Sequence, residues 1–401
     1  MKILLVHNSH RSGSSSGDDS VFKKEAKLLE ENGHTINRFN PCNDEIDKGG
    51  LIRKITVALQ IPWSFNSAKN IRKIVWKEKP DLTHIHNFFP LISPSVYHVL
   101  KAAEIPVVQT LHDFRFLCPM AFFMRNESIC EECKNGSVFK SIKYGCFKNS
   151  IMQTIPVALM LKFHQMLNTL KNNIDGYICL TESQRRIFLD AGFDEERLFV
   201  KPNFIEGTYQ KRTQRDNGYV VFIGRIGEEK GLRTLIGAWK SLPDMPLKIV
   251  GDGPDMAKFR LLAQETNLLN VEFLGYRPYP ECMEILNEAR FLVMPSVWYE
   301  TFGLTIIEAF ACAKPVIASN LGAMADLITD GETGLLFEPG NPSDLTNKVE
   351  RLWNNEDEVI RMGGNARKEF EEKYTAETNY KMLMEIYEKA IELHKRSRYE
   401  T

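Results

Sequence analysis

The chain has 401 residues, which at roughly 150 residues per domain suggests two domains, each large enough to bury its own core. Its 43% hydrophobic and 26% charged residues exclude a disordered, collagen-like or low-complexity protein. With 51 Lys plus Arg against 52 Asp plus Glu, the net charge of -1 argues against a surface built throughout for nucleic acid.

The opening apolar run, Ile3 to Val6, is too short for a signal peptide and has no small-residue cleavage site, so it is read as a first strand of a cytoplasmic protein. Val21 to Glu31 follows at helical spacing, then a strand from Asp81 to His86, a helix from about Pro94 and a strand from Val107 to Leu111. The longest apolar run, Ile155 to Leu161, contains Pro156 and falls far short of the about 20 residues that span a bilayer. A strand at Tyr177 to Leu180 leads into a helix from Ser183 to Ala191, stopped by Gly192. This βαβ rhythm implies a parallel sheet covered by helices.

The rhythm breaks at Lys201-Pro202-Asn203 and restarts with Tyr219 to Ile223, Leu247 to Val250, Val271 to Leu274, Phe291 to Met294 and Pro315 to Ala318. The expected division is 1–203 and 204–375, two doubly wound α/β domains joined near Asn203 to Gly218, with a C-terminal helix over 376–401. In that helix Tyr380, Leu383, Met384, Tyr387 and Ile391 form one apolar stripe that must pack on something. Ligands of such sheets sit at the carboxyl ends of the strands, so the loops after strands carry the chemistry.

The charge is unevenly spread. Residues 1–203 hold 27 basic and 21 acidic groups, a balance of +6, which leaves -7 for the rest. Residues 133–174 carry Lys134, Lys140, Lys143, Lys148, Lys162 and Lys171 and no Asp or Glu, in apolar company. Two readings stay open for that stretch: a solvated helical face, or a face that rests on an anionic membrane.

Two loops stand out. After Val221-Phe222-Ile223, Gly224-Arg225-Ile226-Gly227-Glu228-Glu229-Lys230-Gly231 places two cations in a strand-to-helix turn, where they can clamp a diphosphate. After Phe291 to Met294, the loop carries Glu300 and a helix begins near Gly303, so the N–H groups of Gly303, Leu304 and Thr305 can face a phosphate. Glu308 lies in the early turns and leans back toward that end, within reach of a ribose; Glu300 can hold sugar hydroxyls.

Glu300 and Glu308 around Phe302-Gly303-Leu304, with Glu308-Ala309-Phe310-Ala311-Cys312, Pro315-Val316-Ile317-Ala318-Ser319 and Gly334-Leu335-Leu336-Phe337-Glu338-Pro339-Gly340, resemble glycosyltransferase family 4, the group 1 retaining enzymes of the GT-B fold. Gly224-Arg225 with Glu229-Lys230-Gly231, Val250-Gly251-Asp252-Gly253-Pro254 and Lys201-Pro202-Asn203 also fit its pattern, so the likeness spans nearly the whole chain. Two departures are Gly13-Ser14-Ser15-Ser16-Gly17, where the family has a Gly-Gly pair, and Gly322-Ala323-Met324-Ala325-Asp326.

The resemblance implies two Rossmann-like domains facing across a cleft, with the C-terminal helix returning to the first. It implies a hexosyl transfer from a nucleoside diphosphate sugar to a saccharide or lipid-linked saccharide acceptor, in bacterial surface polysaccharide assembly. His112, in Thr110-Leu111-His112-Asp113, matches the histidine that reaches the donor sugar, and His84 and His86 are read as structural. His112, Arg225, Lys230 and Glu300 are the expected catalytic residues; Gly224, Phe302, Gly303, Leu304, Thr305 and Glu308 are expected to bind the donor. No Asp-x-Asp triplet ends a strand, so no catalytic metal is expected. A non-catalytic sugar-nucleotide-binding protein and a GT-B epimerase are the alternatives; a nicotinamide enzyme is disfavoured because His7-Asn8-Ser9-His10-Arg11-Ser12-Gly13 lacks Gly-x-Gly-x-x-Gly.

Four of the eight cysteines, Cys118, Cys130, Cys133 and Cys146, fall within an insertion at about 118–146. Their spacing fits a structural zinc in a reducing compartment, and equally four unrelated thiols.

Overall fold

Apolar runs three to six residues long, each separated by a helix, can pair only side by side through crossovers. The computed structural model, which describes residues 1–12, 17–207 and 216–399, does this twice. In the first sheet β1 (Lys2–His7), β2 (Thr35–Phe39), β3 (Leu82–Asn87) and β4 (Val107–Thr110) are followed, after a small antiparallel hairpin of β5 (Met124–Arg125) and β6 (Ser128–Ile129), by β7 (Gly176–Cys179) and β8 (Leu198–Val200). Its order is β2-β1-β3-β4-β7-β8, parallel throughout.

The second sheet comprises β9 (Val220–Ile223), β10 (Leu247–Val250), β11 (Val271–Gly275), β12 (Phe291–Met294), β13 (Val316–Ser319) and β14 (Gly334–Phe337), in the order β11-β10-β9-β12-β13-β14, again parallel. The edge strands β2 and β8 escape a reading by apolar runs because one holds Thr35, Asn37 and Arg38 among its five residues and the other is three residues long. Helices Asp44–Lys48, Gly50–Gln60 and Phe65–Glu78, between β2 and β3, were likewise not anticipated.

Two compact units result, one of Met1–Phe123, Cys130–Pro202 and Asn379–Thr401, the other of Met124–Ile129 and Asn203–Thr378. The break lies one residue before the expected one, and the C-terminal helix, Ala376–Tyr399, starts in the second unit and ends in the first. Its Leu383, Ile386, Tyr387 and Ala390 join Ile3, Leu5, Phe22, Leu82 and Ile178 in one core, with Tyr380, Met384 and Ile391 against it. The second unit closes around Trp239, Phe222, Phe291 and Phe337. Among the described residues no helix is long and apolar enough to cross a membrane.

The first core is not wholly apolar. Glu25, on the same helical stripe as Val21, Phe22, Ala26 and Leu29, is buried, and its Oε2 lies 3.1 Å from Nζ of the equally buried Lys201. Lys201 Nζ also donates to Asn379 Oδ1 at 3.0 Å, and Glu25 Oε1 stands 3.0 and 3.1 Å from ring nitrogens of His84 and His86. A buried carboxylate is tolerable only with such company.

Burial also governs the imidazoles. It holds His86 well below its ordinary 6.5, and lowers His112 and His164 to about 4. The folded protein keeps these rings neutral where the unfolded chain would protonate them, so stability is complete above about pH 6.5 and is lost as pH falls toward 4. Glu25 adds to this below its ordinary 4.5, where unfolding protonates a carboxylate that the fold keeps charged. Thermal melts of the protein from pH 7.5 down to 4.5 should show a melting temperature that is level above about pH 6.5 and falls from there to 4.5, with about one proton taken up on unfolding for each of the three histidines at the acid end. A flat profile across that interval would contradict the account.

Candidate active site

In the second unit the chain leaves β9 toward one edge through β10 and β11 and later resumes at β12 on its other side. Loops that part in opposite directions at such a point leave a crevice at the carboxyl ends. The β9 loop runs through Gly224 and Arg225 to a turn at Glu228–Lys230, then Gly231 and the helix Leu232–Trp239. Gly231 has φ +71°, and a Cβ there would lie 1.8 Å from the Pro295 carbonyl oxygen, so only glycine lets the β9 loop lie backbone to backbone against the β12 loop. The Val297 N–H donates to Glu229 O at 3.0 Å across the same seam.

That approach brings the predicted Lys230 and Glu300 together. Lys230 Nζ lies 2.5 Å from Glu300 Oε1 and 5.3 Å from the centre of the Trp298 ring. Ser296 Oγ and Trp298 Nε1 each donate to the same Oε1 at 2.8 Å. Glu300 is only 7% exposed, so it is no ordinary surface glutamate. Arg225 differs: its side chain is half exposed and pairs with Glu229 at 2.6 Å.

Just beyond Glu300, Phe302 is buried with its ring edge-on to Tyr374 at 6.3 Å. Gly303, at φ +88°, turns the chain into the helix Leu304–Ala311 with no side chain capping it. Ile306 N–H bonds back to Gly303 O at 2.9 Å, and the helix geometry leaves the Leu304 and Thr305 N–H groups without an intrahelical acceptor. Glu308, half-buried, is the fifth residue of this helix and close enough to Cys282 that, after burial, it is the next cause raising that thiol.

In the first unit the corresponding reversal lies between β1 and β3. His112 sits just past β4, its Nε2 3.0 Å from His86 Nδ1 and the two rings nearly parallel at 5.2 Å. Asp18, at the start of helix Gly17–Glu31, accepts from Asn87 Nδ2 at 3.1 Å and lies 3.3 Å from His10 Nε2. His86 thus stands between His112 and the buried Glu25 and Lys201. The sequence reading passed over Glu25, although a carboxylate on an apolar stripe was the available signal. Residues Gly13 to Ser16 of the departing first loop lie outside the described residues.

Cys133 has the other three cysteines of the insertion around it: burial first, then Cys118, Cys146 and Cys130, push its thiol up to about 12. Cys118 faces the N–H groups of Phe123, Met120 and Ala121. Among the described residues, however, the group whose potential metal-ligand atoms all lie within 4.8 Å of one another is Glu25, His84 and His86. The Lys201 ammonium already occupies Glu25 there.

Residues 25–207 match the family described as Glycosyltransferase Family 4, and residues 208–369 match Glycosyl transferases group 1. An uncharacterized glycosyltransferase of Methanocaldococcus jannaschii is 30% identical over 329 residues, 82% of this chain and 81% of its own length. A capsular polysaccharide biosynthesis glycosyltransferase of Staphylococcus aureus is 27% identical over 205 residues, 49% of this chain and 52% of its own. Among solved structures, HepE of Anabaena in complex with UDP superposes with a TM-score of 0.68 at 20% identity, covering 97% of this chain and 100% of that one. The chain belongs to the group 1 glycosyltransferases of family 4, and its two Rossmann-like units are those of the GT-B fold.

Proposed function

We propose that the protein transfers a hexosyl unit, with retention, from a nucleoside diphosphate sugar to a hydroxyl of a saccharide or lipid-linked saccharide, in assembly of a bacterial surface polysaccharide at the inner face of the cell membrane. The observation that carries the reading is the Glu300 carboxylate, one oxygen held by Lys230, Ser296 and Trp298 beside an uncapped helix start. The Leu304 and Thr305 N–H groups, Gly224 and the two cations form a cradle suited to a diphosphate, and Glu308 to a ribose. The remaining Glu300 oxygen suits a sugar hydroxyl. The capsular relative supports the polysaccharide setting.

In this reading the bond from the anomeric carbon to the diphosphate oxygen breaks with its electron pair, and the acceptor oxygen bonds to the same face of the sugar. The acceptor proton passes to the departing diphosphate oxygen. Lys230, Arg225 and the helix start oppose the charge that grows there, so catalysis is electrostatic and no protein nucleophile or metal is needed.

Replacement of Arg225 or Lys230 by Ala should lower turnover on the order of a hundredfold or more. The two should part in stability: Arg225→Ala changes little at a half-exposed position, whereas Lys230→Ala strands the buried Glu300 and costs about 1–3 kcal/mol. Steady-state kinetics beside thermal melts check both, and undiminished turnover in either variant removes the clamp.

Glu308→Ala should weaken binding of the nucleoside diphosphate itself, and Glu300→Gln should leave that affinity nearly unchanged while lowering turnover. Calorimetry giving the reverse order would exchange their roles. Full activity should survive EDTA. From their spacing we also propose that Cys118, Cys130, Cys133 and Cys146 hold a structural zinc, although among the described residues no three of their sulfurs lie within 4.8 Å of one another; freshly purified protein with well under about one zinc per chain would withdraw that proposal.

A further inference from the structure

Away from the strand ends, the first unit turns large apolar side chains to water. On helix Gly50–Gln60, Leu51, Ile52 and Leu59 are 74%, 80% and 76% exposed. Helix Ile151–Met166 packs beside it and shows Met152 at 83% and Met166 at 71%, with Ile151, Leu159 and Phe163 also exposed. Pro156 is accommodated as the sixth residue of that helix, past its first turn.

The face continues. The Trp63 ring meets Phe163 edge-on at 5.9 Å and stacks on His164 at 5.8 Å. Trp63 in turn lines a cavity of about 940 Å³ together with Phe65 and Trp76, both largely exposed, and with the cations Lys69 and Arg72. Contiguous apolar surface on this scale marks a partner.

Charge selects the partner. Neither helix contains Asp or Glu, and Lys54, Lys143, Lys148 and Lys162 stand exposed on or beside them, in a chain whose net charge is only -1. A second copy meeting this face about a two-fold axis would set lysines against the same lysines, with no carboxylate on either helix to answer them. An anionic bilayer supplies both missing halves, phosphate charge for the lysines and a hydrocarbon boundary for Leu, Ile and Met.

We propose that the face formed by helices Gly50–Gln60 and Ile151–Met166, continued by the Trp63 cavity, docks the protein peripherally on an anionic phospholipid surface. The inference stands apart from the transfer reaction, because vesicle binding is read without turnover.

The test is cosedimentation of the full chain with vesicles of phosphatidylcholine alone or mixed with phosphatidylglycerol, at low and high salt. Binding should require the anionic lipid and weaken steeply with salt. Lys143→Gln with Lys148→Gln should reduce partitioning on the order of thirtyfold, about fivefold per lysine. Ile52→Glu with Met152→Glu should abolish binding while leaving the melting temperature unchanged, since both side chains are already in water. Equal binding to neutral vesicles, or wild-type binding by both double variants, overturns the proposal. Absence of vesicle binding together with a dimer in sedimentation velocity that Ile52→Glu with Met152→Glu dissociates would assign the face to a second copy instead.

Discussion

Because every strand in both six-stranded sheets runs parallel to its neighbours, each return of the chain must be made by a crossover and every carboxyl end opens on one edge of its sheet. That constraint decides where chemistry can be placed. Helices cover the faces, the amino-terminal edge carries only returns, and the loops free to diverge are those where strand order reverses. In the second unit these are the loops after β9 and β12. Their backbones touch at Gly231 and Pro295, and Lys230, just before that contact, and Glu300, soon after it, are the side chains the touch brings together.

The arrangement is costly in isolation and sensible as a preassembled site. An ion pair with one partner 8% and the other 18% exposed gains little net stability once desolvation is counted. It does fix a carboxylate in one orientation, with Ser296 and Trp298 completing the shell of a single oxygen. Geometry held in advance spares the reorganisation that solvent would otherwise require when charge moves. Arg225, half exposed and tied to Glu229, is the less constrained cation of the same loop.

Much of this was legible in the amino-acid order because it depends on local chemistry. Strand, glycine turn and helix start follow from Val221 to Gly231 and from Phe291 to Glu308 whatever surrounds them, and the family resemblance rests on those segments. What stayed hidden depends on long-range burial. Glu25 is an ordinary helix residue until Lys201 and Asn379, far along the chain, fold over it, and the approach of the His86 ring to His112 is likewise visible only in the fold. The exposed Leu51, Ile52 and Leu59 could not be told from core, since an apolar stripe in a sequence does not say whether anything covers it.

The C-terminal helix has a consequence for how the protein comes into being. Leu383, Ile386, Tyr387 and Ala390 are one wall of the first unit's core, and Asn379 caps the buried Lys201, yet all are made after the entire second unit. At about 5–20 residues per second the ribosome leaves the first sheet without that wall for roughly ten to thirty seconds. During synthesis the order of completion is therefore inverted: the second unit, begun later, can close first, while the first carries an open apolar face and a lysine whose partners are incomplete.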